Sequence, residues 1–394
     1  MKQEYFEFSN NVKVFAGPKA LDKLAPTICL LGGFRVFIVS DKVIKEFGHI
    51  ETLKKAIATR PELTIGATFL DVPSALTTSA VEAMYIAFRK SGCDAIVGIG
   101  GSRVMNAAKA LAILVSTKTK NIKDFRGINT ATKNNDIPFG LVPTAYGSGG
   151  ETSRTVVVID EENKTPIEIV SDALQPNFCI LDPMFLKTLP DKEVYMGLVD
   201  IMSYSIESYI SLRANSLTKS FSKMAMFLVK DNFQKAIMDR DDLSLNNLQK
   251  AASISAITYS NTYTGLAHAL ANTLSAIYKI HRAEALCCVF YNVLENLKPL
   301  CSEKYAEMLL FYRGTKEYAA ITDDERAEIF LRVISNMITH LSKNFDVKTK
   351  LSDYGVKEDD LSMLADLTMH DGDMIAAPRQ YTKEEIIEIL RQSL

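Results

Sequence analysis

The chain has 394 residues, of which 47% are hydrophobic and 23% are charged, and its formal net charge at pH 7 is −2. This near-neutral balance, with lysine and arginine scattered along the chain, argues against nucleic acid or an anionic membrane as a partner. No apolar run is long enough for a membrane span and the start lacks a signal-peptide pattern, so we expect a cytoplasmic protein.

Two domains are predicted from the length and from a change of pattern near residue 184. In residues 1–183, apolar runs alternate with helical spacing, which is typical of a nucleotide-binding α/β domain built on a parallel sheet. Residues 184–394 have longer amphipathic runs and predict an all-helical domain. We expect the active site in the cleft between the two domains. The predicted strands include residues 34–40, 95–97 and 139–142.

Asp41 directly follows the first of these strands. A carboxylate at the end of a strand can accept hydrogen bonds from the ribose of adenosine, and it would repel a 2′-phosphate. The alternative is that Asp41 only caps the turn that follows it. The first interpretation favours NAD over NADP as cofactor, whereas the second assigns no function.

A glycine turn joins a strand to a helix at Gly100 and Gly101. The apolar residues before it suit a strand covered on both faces, and helical spacing begins directly after it. The backbone of such a turn can approach a phosphate closely, and the N-terminal end of the helix attracts the negative charge. The predicted occupant is the pyrophosphate of a dinucleotide, while packing alone is the alternative reason for the glycines.

Long amphipathic runs predict the helices of the second half. Near the end of the chain, Thr382 and Glu385 have the spacing of a capping box before a final helix at 384–390. Asp371 and Asp373 lack the spacing of a calcium-binding loop, so the sequence assigns them no metal. The predicted helical runs are residues 216–237, 245–271, 283–297 and 324–345.

Several further short motifs occur along the chain. The motifs are VFAG at 14–17, PTAYGSGGE at 143–151, ILDP at 180–183, GLVD at 197–200, SIESYIS at 205–211, GLAHAL at 265–270 and APR at 377–379. Together with the glycine turn, and in this order, they resemble the iron-containing (group III) alcohol dehydrogenase family over essentially the full length. The resemblance implies an N-terminal α/β domain and an all-helical C-terminal domain, a fold shared with dehydroquinate synthase, and hydride transfer between a nicotinamide and an alcohol or carbonyl compound.

The resemblance also implies how the cofactor is bound. Gly100 and Gly101 correspond to the family's pyrophosphate-binding glycines, and Asp41 corresponds to its ribose-contacting acid. Thr144 and Ser148 match the hydroxyls of a second nucleotide loop. NAD is therefore the expected cofactor, and NADP is less favoured.

The glycine turn departs from the family pattern at its C-terminal end. Ser102 stands where the family typically has a third glycine, and it would line and crowd the pyrophosphate site. Asn106 replaces an aspartate, which keeps hydrogen-bonding capacity but removes a charge. Arg103 offers an additional contact to a phosphate.

The family's metal site is incomplete in this sequence. The resemblance implies a divalent metal, iron or zinc, held by one aspartate and three histidines. Asp200 and His268 correspond to two of these ligands, but Tyr204 and Arg282 stand at the other two positions. Asn272 replaces a further histidine of the proton relay. A guanidinium has no lone pair to offer a metal at any usable pH.

Three interpretations of these replacements stay open. A metal could still be held by Asp200, His268 and His281 if the loop shifted by one residue. Alternatively, Arg282 supplies the positive charge that stabilises a developing alkoxide, with Asp200 holding it in place. Tyr204 or His268 would then donate the proton. In the third interpretation, Asp200 and Arg282 form only an ion pair that fills the vacated site.

We predict a nicotinamide-dependent oxidoreductase that interconverts an alcohol and an aldehyde or ketone, with an altered or absent metal. One alternative is a metal-independent reductase of an anionic keto acid, in which Arg282 binds the carboxylate. Ala283 and Glu284 resemble the sequence of maleylacetate reductases at this point. The other alternative is a non-catalytic nucleotide-binding protein. The expected partners are a small alcohol, aldehyde or keto acid and, because family members often form dimers, a second copy of the chain.

Overall fold

The computed structural model describes residues 5–131, 137–163 and 165–394. These residues form two compact units. The α/β unit lies within residues 9–190 and 235–257, and the helical unit consists of residues 5–8, 191–234 and 258–394. This division differs from the boundary predicted near residue 184, mainly because residues 235–257 are grouped with the α/β unit.

Two sheets form the α/β unit. Within the described residues the main sheet has six parallel strands in the order β1, β9, β6, β4, β2, β3, and a small sheet contains β5, β8 and β7. The strands are β1 (Lys13–Ala16), β2 (Arg35–Val39), β3 (Thr64–Phe69), β4 (Ala95–Gly100), β5 (Gly127–Ile128), β6 (Phe139–Pro143), β7 (Thr155–Asp160), β8 (Thr165–Val170) and β9 (Phe178–Leu181).

Both faces of the main sheet are covered, which is why its strands are apolar on both sides. Successive side chains of β2 alternate between the faces. Phe37 and Val39 belong to a core cluster with α4 and α5, whereas Val36 and Ile38 belong to a second cluster with α1 and α3. The helices of these layers are α1 (Leu24–Leu30), α2 (Lys42–Glu46), α3 (His49–Ile57), α4 (Thr78–Ser91) and α5 (Ser102–Thr117).

The strand order of the main sheet defines where a ligand is expected. After β2 the chain moves outward to β3, and it then returns to the other side of β2 to form β4. In sheets of this kind, ligands bind beyond the carboxyl ends of the strands at the point where the order reverses. Here that point lies between Asp41, which follows β2, and Gly101, which follows β4. The predicted fold class is confirmed.

The helical unit is built on long amphipathic helices. The helix α10 is the longest of those described and has Pro299 in its interior. The helices of this half of the chain are α6 (Asp191–Ile210), α7 (Ser216–Met238), α8 (Asp242–Thr262), α9 (Leu266–Tyr278), α10 (Arg282–Arg313), α11 (Thr315–Ala319), α12 (Arg326–Phe345), α13 (Leu361–Met369) and α14 (Lys383–Gln392). The C-terminal end of α7 and most of α8 belong to the α/β unit, and the other helices from α6 to α14 lie wholly in the helical unit.

One predicted helix is wrong, and the other predicted helices differ from the observed ones only in where they begin and end. The run at 245–271 is two helices, α8 and α9, because Tyr263 has a left-handed backbone (φ 56°) and Gly265 is the N-cap of α9. The apolar spacing continues on both sides of this break, so periodicity alone misses it. The capping box of Thr382 and Glu385 is confirmed. In the described part of the chain, no helix combines the length and apolarity needed to cross a bilayer.

Candidate functional site

The glycine turn after β4 opens the first turn of α5. Gly100 has φ 157°, and a side chain there would bring a Cβ within 2.6 Å of the Val104 side chain. Both features require glycine at this position. Ser102 is the first residue of α5 and is exposed.

Neither the backbone conformation nor the packing requires a glycine at position 101. Gly101 is the N-cap of α5 with φ −82°, and no heavy atom lies within 4 Å of the position that a Cβ would occupy. It also has no side chain to cap the first N–H groups of the helix. Open space beside unpaired helix amides is a suitable place for a phosphate group.

The loop that follows β6 lies against this turn. The backbone N–H of Thr144 donates to the carbonyl oxygen of Gly100 over 3.0 Å. Gly149 has φ 57°, and a Cβ there would overlap the backbone of Ala252 in α8. Thr144 is buried and Ser148 is half-buried. The structure therefore places Gly100, Gly101 and Thr144 at one edge of the sheet.

A buried lysine anchors the end of this loop. Lys109 of α5 is fully buried, and its Nζ donates to the carbonyl oxygen (2.9 Å) and the hydroxyl (2.7 Å) of Ser153. Burial lowers the pKa of Lys109 to about 7. Glu151 nearby accepts a hydrogen bond from the Ser253 hydroxyl, and burial raises the pKa of its carboxyl. These contacts hold the end of the loop in place.

Asp41 performs the capping role that the sequence offered as an alternative. Its Oδ1 accepts from the backbone N–H of Ile44 over 3.0 Å, which caps α2. Its Oδ2 lies 3.7 Å from Nη2 of Arg103. Ser40 next to it donates to the carbonyl oxygen of Ile99, which joins the ends of β2 and β4.

The helical unit contains a second polar cluster, built on one face of α6. Asp200, Ser203, Tyr204 and Glu207 are spaced by three or four residues and therefore share that face. All four are buried, with residue exposures between 0% and 8%. A buried face with two carboxylates requires partners from other helices.

Glu207 provides the partner for His268. Its Oε2 lies 2.5 Å from Nδ1 of His268, and both side chains are only 2% exposed. The same carboxylate accepts from the backbone N–H groups of Ala267 (2.9 Å) and His268 (3.3 Å), so it caps the N-terminus of α9. Sequence reasoning missed Glu207, although its spacing of seven residues from Asp200 could have revealed it.

Ser203, His268 and Glu207 have the connectivity of a hydrolase triad but not its chemistry. Nε2 of His268 lies 3.5 Å from Oγ of Ser203, at the limit of a hydrogen bond. The hydroxyl of Ser203 donates to the carbonyl oxygen of Asp200 within its own helix and is fully buried. Because the Ser203 hydroxyl is committed to the backbone of its own helix, this trio positions His268 rather than attacking a substrate.

Tyr204 lies at the centre of an aromatic stack. Its ring centroid is 4.2 Å from that of His268 and 4.2 Å from that of Tyr259, with interplanar angles of 20° and 19°. Burial raises the pKa of Tyr204 well above its ordinary value, with the Arg282 guanidinium opposing the shift. Tyr204 is therefore a neutral phenol at physiological pH.

Arg282 brings a positive charge to this stack from the first turn of α10. Its guanidinium lies over the Tyr204 ring at 5.2 Å from the centroid, and its Nη2 lies 3.4 Å from Oδ2 of Asp200. The Arg282 side chain is 31% exposed and that of Asp200 is 11% exposed. Oδ1 of Asp200 and Nε of Arg282 are buried without a hydrogen-bond partner in the described structure. A bound water or a polar ligand would satisfy these two atoms.

The residues of this cluster do not fit a divalent metal. His281 is exposed at the N-cap of α10, and among the described residues no hydrogen bond or ion pair joins it to Asp200 or His268. Among residues 5–131, 137–163 and 165–394, no group of three or more histidine, cysteine, aspartate or glutamate side chains is arranged to hold a metal ion. Arg282 forms an ion pair with the carboxylate of Asp200, and its positive charge would repel a divalent cation.

A pair of carboxylates that the sequence left without a role lies near the same cluster. Asn272 donates to Oδ2 of Asp371 (3.2 Å) and to Oδ2 of Asp373 (3.3 Å). Burial, and then the neighbouring Asp373, raise the pKa of Asp371 to about 7. Asp373 also accepts from the backbone N–H of Thr264. Asn272 thus holds the short 3-10 helix Gly372–Ala376 against α9.

Comparison with known proteins gives a consistent result over the whole chain. Residues 11–183 match the family model described as iron-containing alcohol dehydrogenase, and residues 194–394 match that of the Fe-containing alcohol dehydrogenase family, C-terminal. The 1,3-propanediol dehydrogenase of Citrobacter freundii is 27% identical over 387 residues, covering 96% of both chains. The NAD-dependent methanol dehydrogenase of Bacillus methanolicus is 24% identical over 388 residues, covering 96% of this chain and 97% of its own length. The crystal structure of a 1,3-propanediol oxidoreductase has a TM-score of 0.91 at 25% identity, with 99% of this chain and 100% of that chain covered.

Proposed function

Because the chain belongs to the iron-containing alcohol dehydrogenase family, we propose that it interconverts a small alcohol and the corresponding aldehyde or ketone with a nicotinamide nucleotide and without a metal. The observation that carries the metal-independent part is the ion pair of Arg282 with Asp200 beside the stacked ring of Tyr204. The relatives named above are alcohol dehydrogenases, which favours this substrate class over a keto acid.

The α/β unit binds the nucleotide in this proposal. The space beside Gly101 and the first amides of α5 receive the pyrophosphate. Thr144 and Ser148 lie on the adjoining loop, and the exposed Ser102 lines the same turn. Asp41 lies on the other side of the strand-order reversal, where the adenosine ribose of a dinucleotide is expected.

The helical unit activates the carbonyl group. A bound reduced nicotinamide would supply a hydride from its ring C–H bond to the carbonyl carbon, and the C=O π electrons would then leave a negative charge on the oxygen. Stabilisation of that charge requires a fixed donor. Arg282 is suited to this because its guanidinium stays protonated and its Nε has no protein partner in the described residues. Asp200 orients the guanidinium.

Tyr204 then supplies the proton that completes the alcohol. An alkoxide is a stronger base than a phenolate, so even a tyrosine whose pKa is raised by burial donates to it. The stack between Tyr259 and His268 fixes the plane of the Tyr204 ring. His268 keeps its place in the stack because the carboxylate of Glu207 fixes the orientation of the imidazole ring. Iron, which the family name implies, has no role in these steps because the residues present do not fit it.

The proposal is tested by a substrate panel together with metal analysis. The protein is purified anaerobically, incubated with Fe(II) or Zn(II), and measured for metal content by mass spectrometry. Reduction of short aldehydes, ketones and keto acids is followed through the loss of reduced nicotinamide, with and without a chelator. We expect turnover of aldehydes that the chelator does not change, and far less than one metal ion per chain.

Other outcomes of the same panel would contradict the proposal in distinct ways. One metal per chain that disappears in an Asp200→Ala variant would show a metal-dependent enzyme. Turnover of keto acids alone would show that Arg282 binds a carboxylate. Nucleotide binding without any turnover would show a non-catalytic protein.

Gly101→Ala is expected to weaken nucleotide binding without affecting folding. The new methyl group meets no protein atom within 4 Å, so the thermal midpoint should not change, but it takes the space assigned to the pyrophosphate. Because the methyl group would displace the pyrophosphate from the first amides of α5, at least one hydrogen bond to a charged group is lost, and we expect the Kd for NADH to rise about tenfold or more. Gly100→Ala is the contrasting variant, because its methyl group overlaps Val104 and lowers stability. An unchanged Kd in a folded Gly101→Ala protein would place the pyrophosphate elsewhere.

A further inference from the structure

Arg103 stands at an unusual place for a coenzyme site, beside the carboxylate that normally selects NAD by its charge. It is the second residue of α5, its side chain is 47% exposed, and its Nη2 lies 3.7 Å from Oδ2 of Asp41. The other carboxylate oxygen of Asp41 is already engaged by the backbone N–H of Ile44. Both oxygens of this acid therefore have a protein partner, and its charge is offset by the guanidinium.

The surroundings of this pair form a depression suited to an adenosine. Its apolar part is formed by Leu70, Val72 and Pro73, which follow β3, and its polar rim includes Asp41 and Arg103. It lies beyond the carboxyl ends of β2 and β3, next to the strand-order reversal. An adenine ring requires apolar walls of this kind, and its ribose then lies near the polar rim.

The second positively charged side chain at the rim is already paired with a carboxylate and is less available to a phosphate. Lys42 also lines the depression, but its Nζ lies 3.0 Å from Oδ1 of Asp71, which compensates its charge. Arg103 has five N–H donors, and its contact with Asp41 at 3.7 Å is an ion pair that is too long for a hydrogen bond. Its planar guanidinium matches a phosphate with two parallel hydrogen bonds. The rim thus offers an acceptor for a ribose hydroxyl and a free donor set for a phosphate.

We propose that Arg103, paired with Asp41, contacts the 2′ position of the adenosine ribose and allows this chain to bind both NADH and NADPH. The inference rests on the proposed function, because it assumes that the α/β unit binds a dinucleotide at this edge. Asp41 accepts the 2′-hydroxyl of NADH. Arg103 keeps its ion pair with Asp41 and donates to the 2′-phosphate of NADPH through its other N–H groups, so its positive charge offsets the repulsion that Asp41 alone would exert.

The test compares the two coenzymes in direct binding. Nicotinamide fluorescence reports the Kd of each one without turnover, and the chain has no tryptophan to interfere. In the unmodified protein we expect the Kd values for NADH and NADPH to agree within about tenfold. In Arg103→Ala the Kd for NADPH should rise about tenfold or more, as for a lost charged hydrogen bond, and that for NADH by less than about threefold. Lys45→Ala removes an exposed charge from α2 outside the depression and should change neither.

Each other outcome overturns the inference and can be distinguished from a failure of the proposed function. Equal weakening of both coenzymes in Arg103→Ala would mean that Arg103 contacts only the pyrophosphate. Binding of NADH but not NADPH by the unmodified protein would mean that Asp41 still excludes the 2′-phosphate. Binding of neither coenzyme would contradict the proposed function itself.

Discussion

Arg282→Ala is expected to lower kcat/KM for aldehyde reduction about 10²- to 10³-fold, the usual effect of removing one donor that stabilises an oxyanion. The alanine variant has no charge near the carbonyl oxygen and leaves Asp200 without its partner. Because the nucleotide loops belong to the α/β unit, the Kd for NADH should stay within about twofold of its original value. Initial rates and nicotinamide fluorescence measure the two quantities separately.

Two further variants make this result specific to position 282. Arg282→Lys keeps the charge but loses the planar fork, so it should recover part of the activity. Arg313→Ala removes an arginine from the other end of α10, where it pairs on the surface with Glu317, and should have no effect on activity. If Arg282→Ala keeps near-normal turnover, the guanidinium does not stabilise the transition state.

Glu207→Gln is expected to lower the free energy of unfolding by about 3 kcal/mol, the cost of leaving a buried donor without its acceptor. The carboxylate of Glu207 serves Nδ1 of His268 and the backbone N–H groups of Ala267 and His268. A glutamine has a single acceptor oxygen, so at least one of these donors would face its NH₂ group. Urea unfolding followed by circular dichroism should show a lower midpoint with an unchanged slope.

The matched control for this prediction is Glu317→Gln, in the same unit. Glu317 is 60% exposed and pairs only with Arg313 on the surface, so the expected change is within about 0.5 kcal/mol. If the two variants lost equal stability, the cap that Glu207 provides for α9 would not support the helical unit.

The fold could be predicted from the sequence wherever a strong local pattern coincides with a change of element. The turn at Gly100 and Gly101 is such a place, because an apolar strand, two glycines and helical spacing follow one another directly. The break at Tyr263 gave no such signal, since a tyrosine in left-handed conformation is set by tertiary contacts and not by its own preference.

The site could be predicted only in part, for a related reason. Asp200 and His268 are found from the order of short motifs, and the charge of Arg282 suggests a partner. Sequence does not reveal that Glu207 reaches the first turn of α9, because that contact joins residues about sixty positions apart and depends on how two helices pack. The pairing of Asp41 with Arg103 depends in the same way on the order of the strands.

The pairing of Asp200 with Arg282 also constrains how this protein can evolve. Replacing Arg282 alone, even by the histidine of the family pattern, leaves a buried carboxylate without its counter-charge, and replacing Asp200 alone releases the arginine. The effect of each change therefore depends on whether the other has occurred. If the protein works without a metal, as proposed above, a lineage with this pair would pass through a less stable or less active intermediate on the way to a metal site, and single substitutions would not readily make that change.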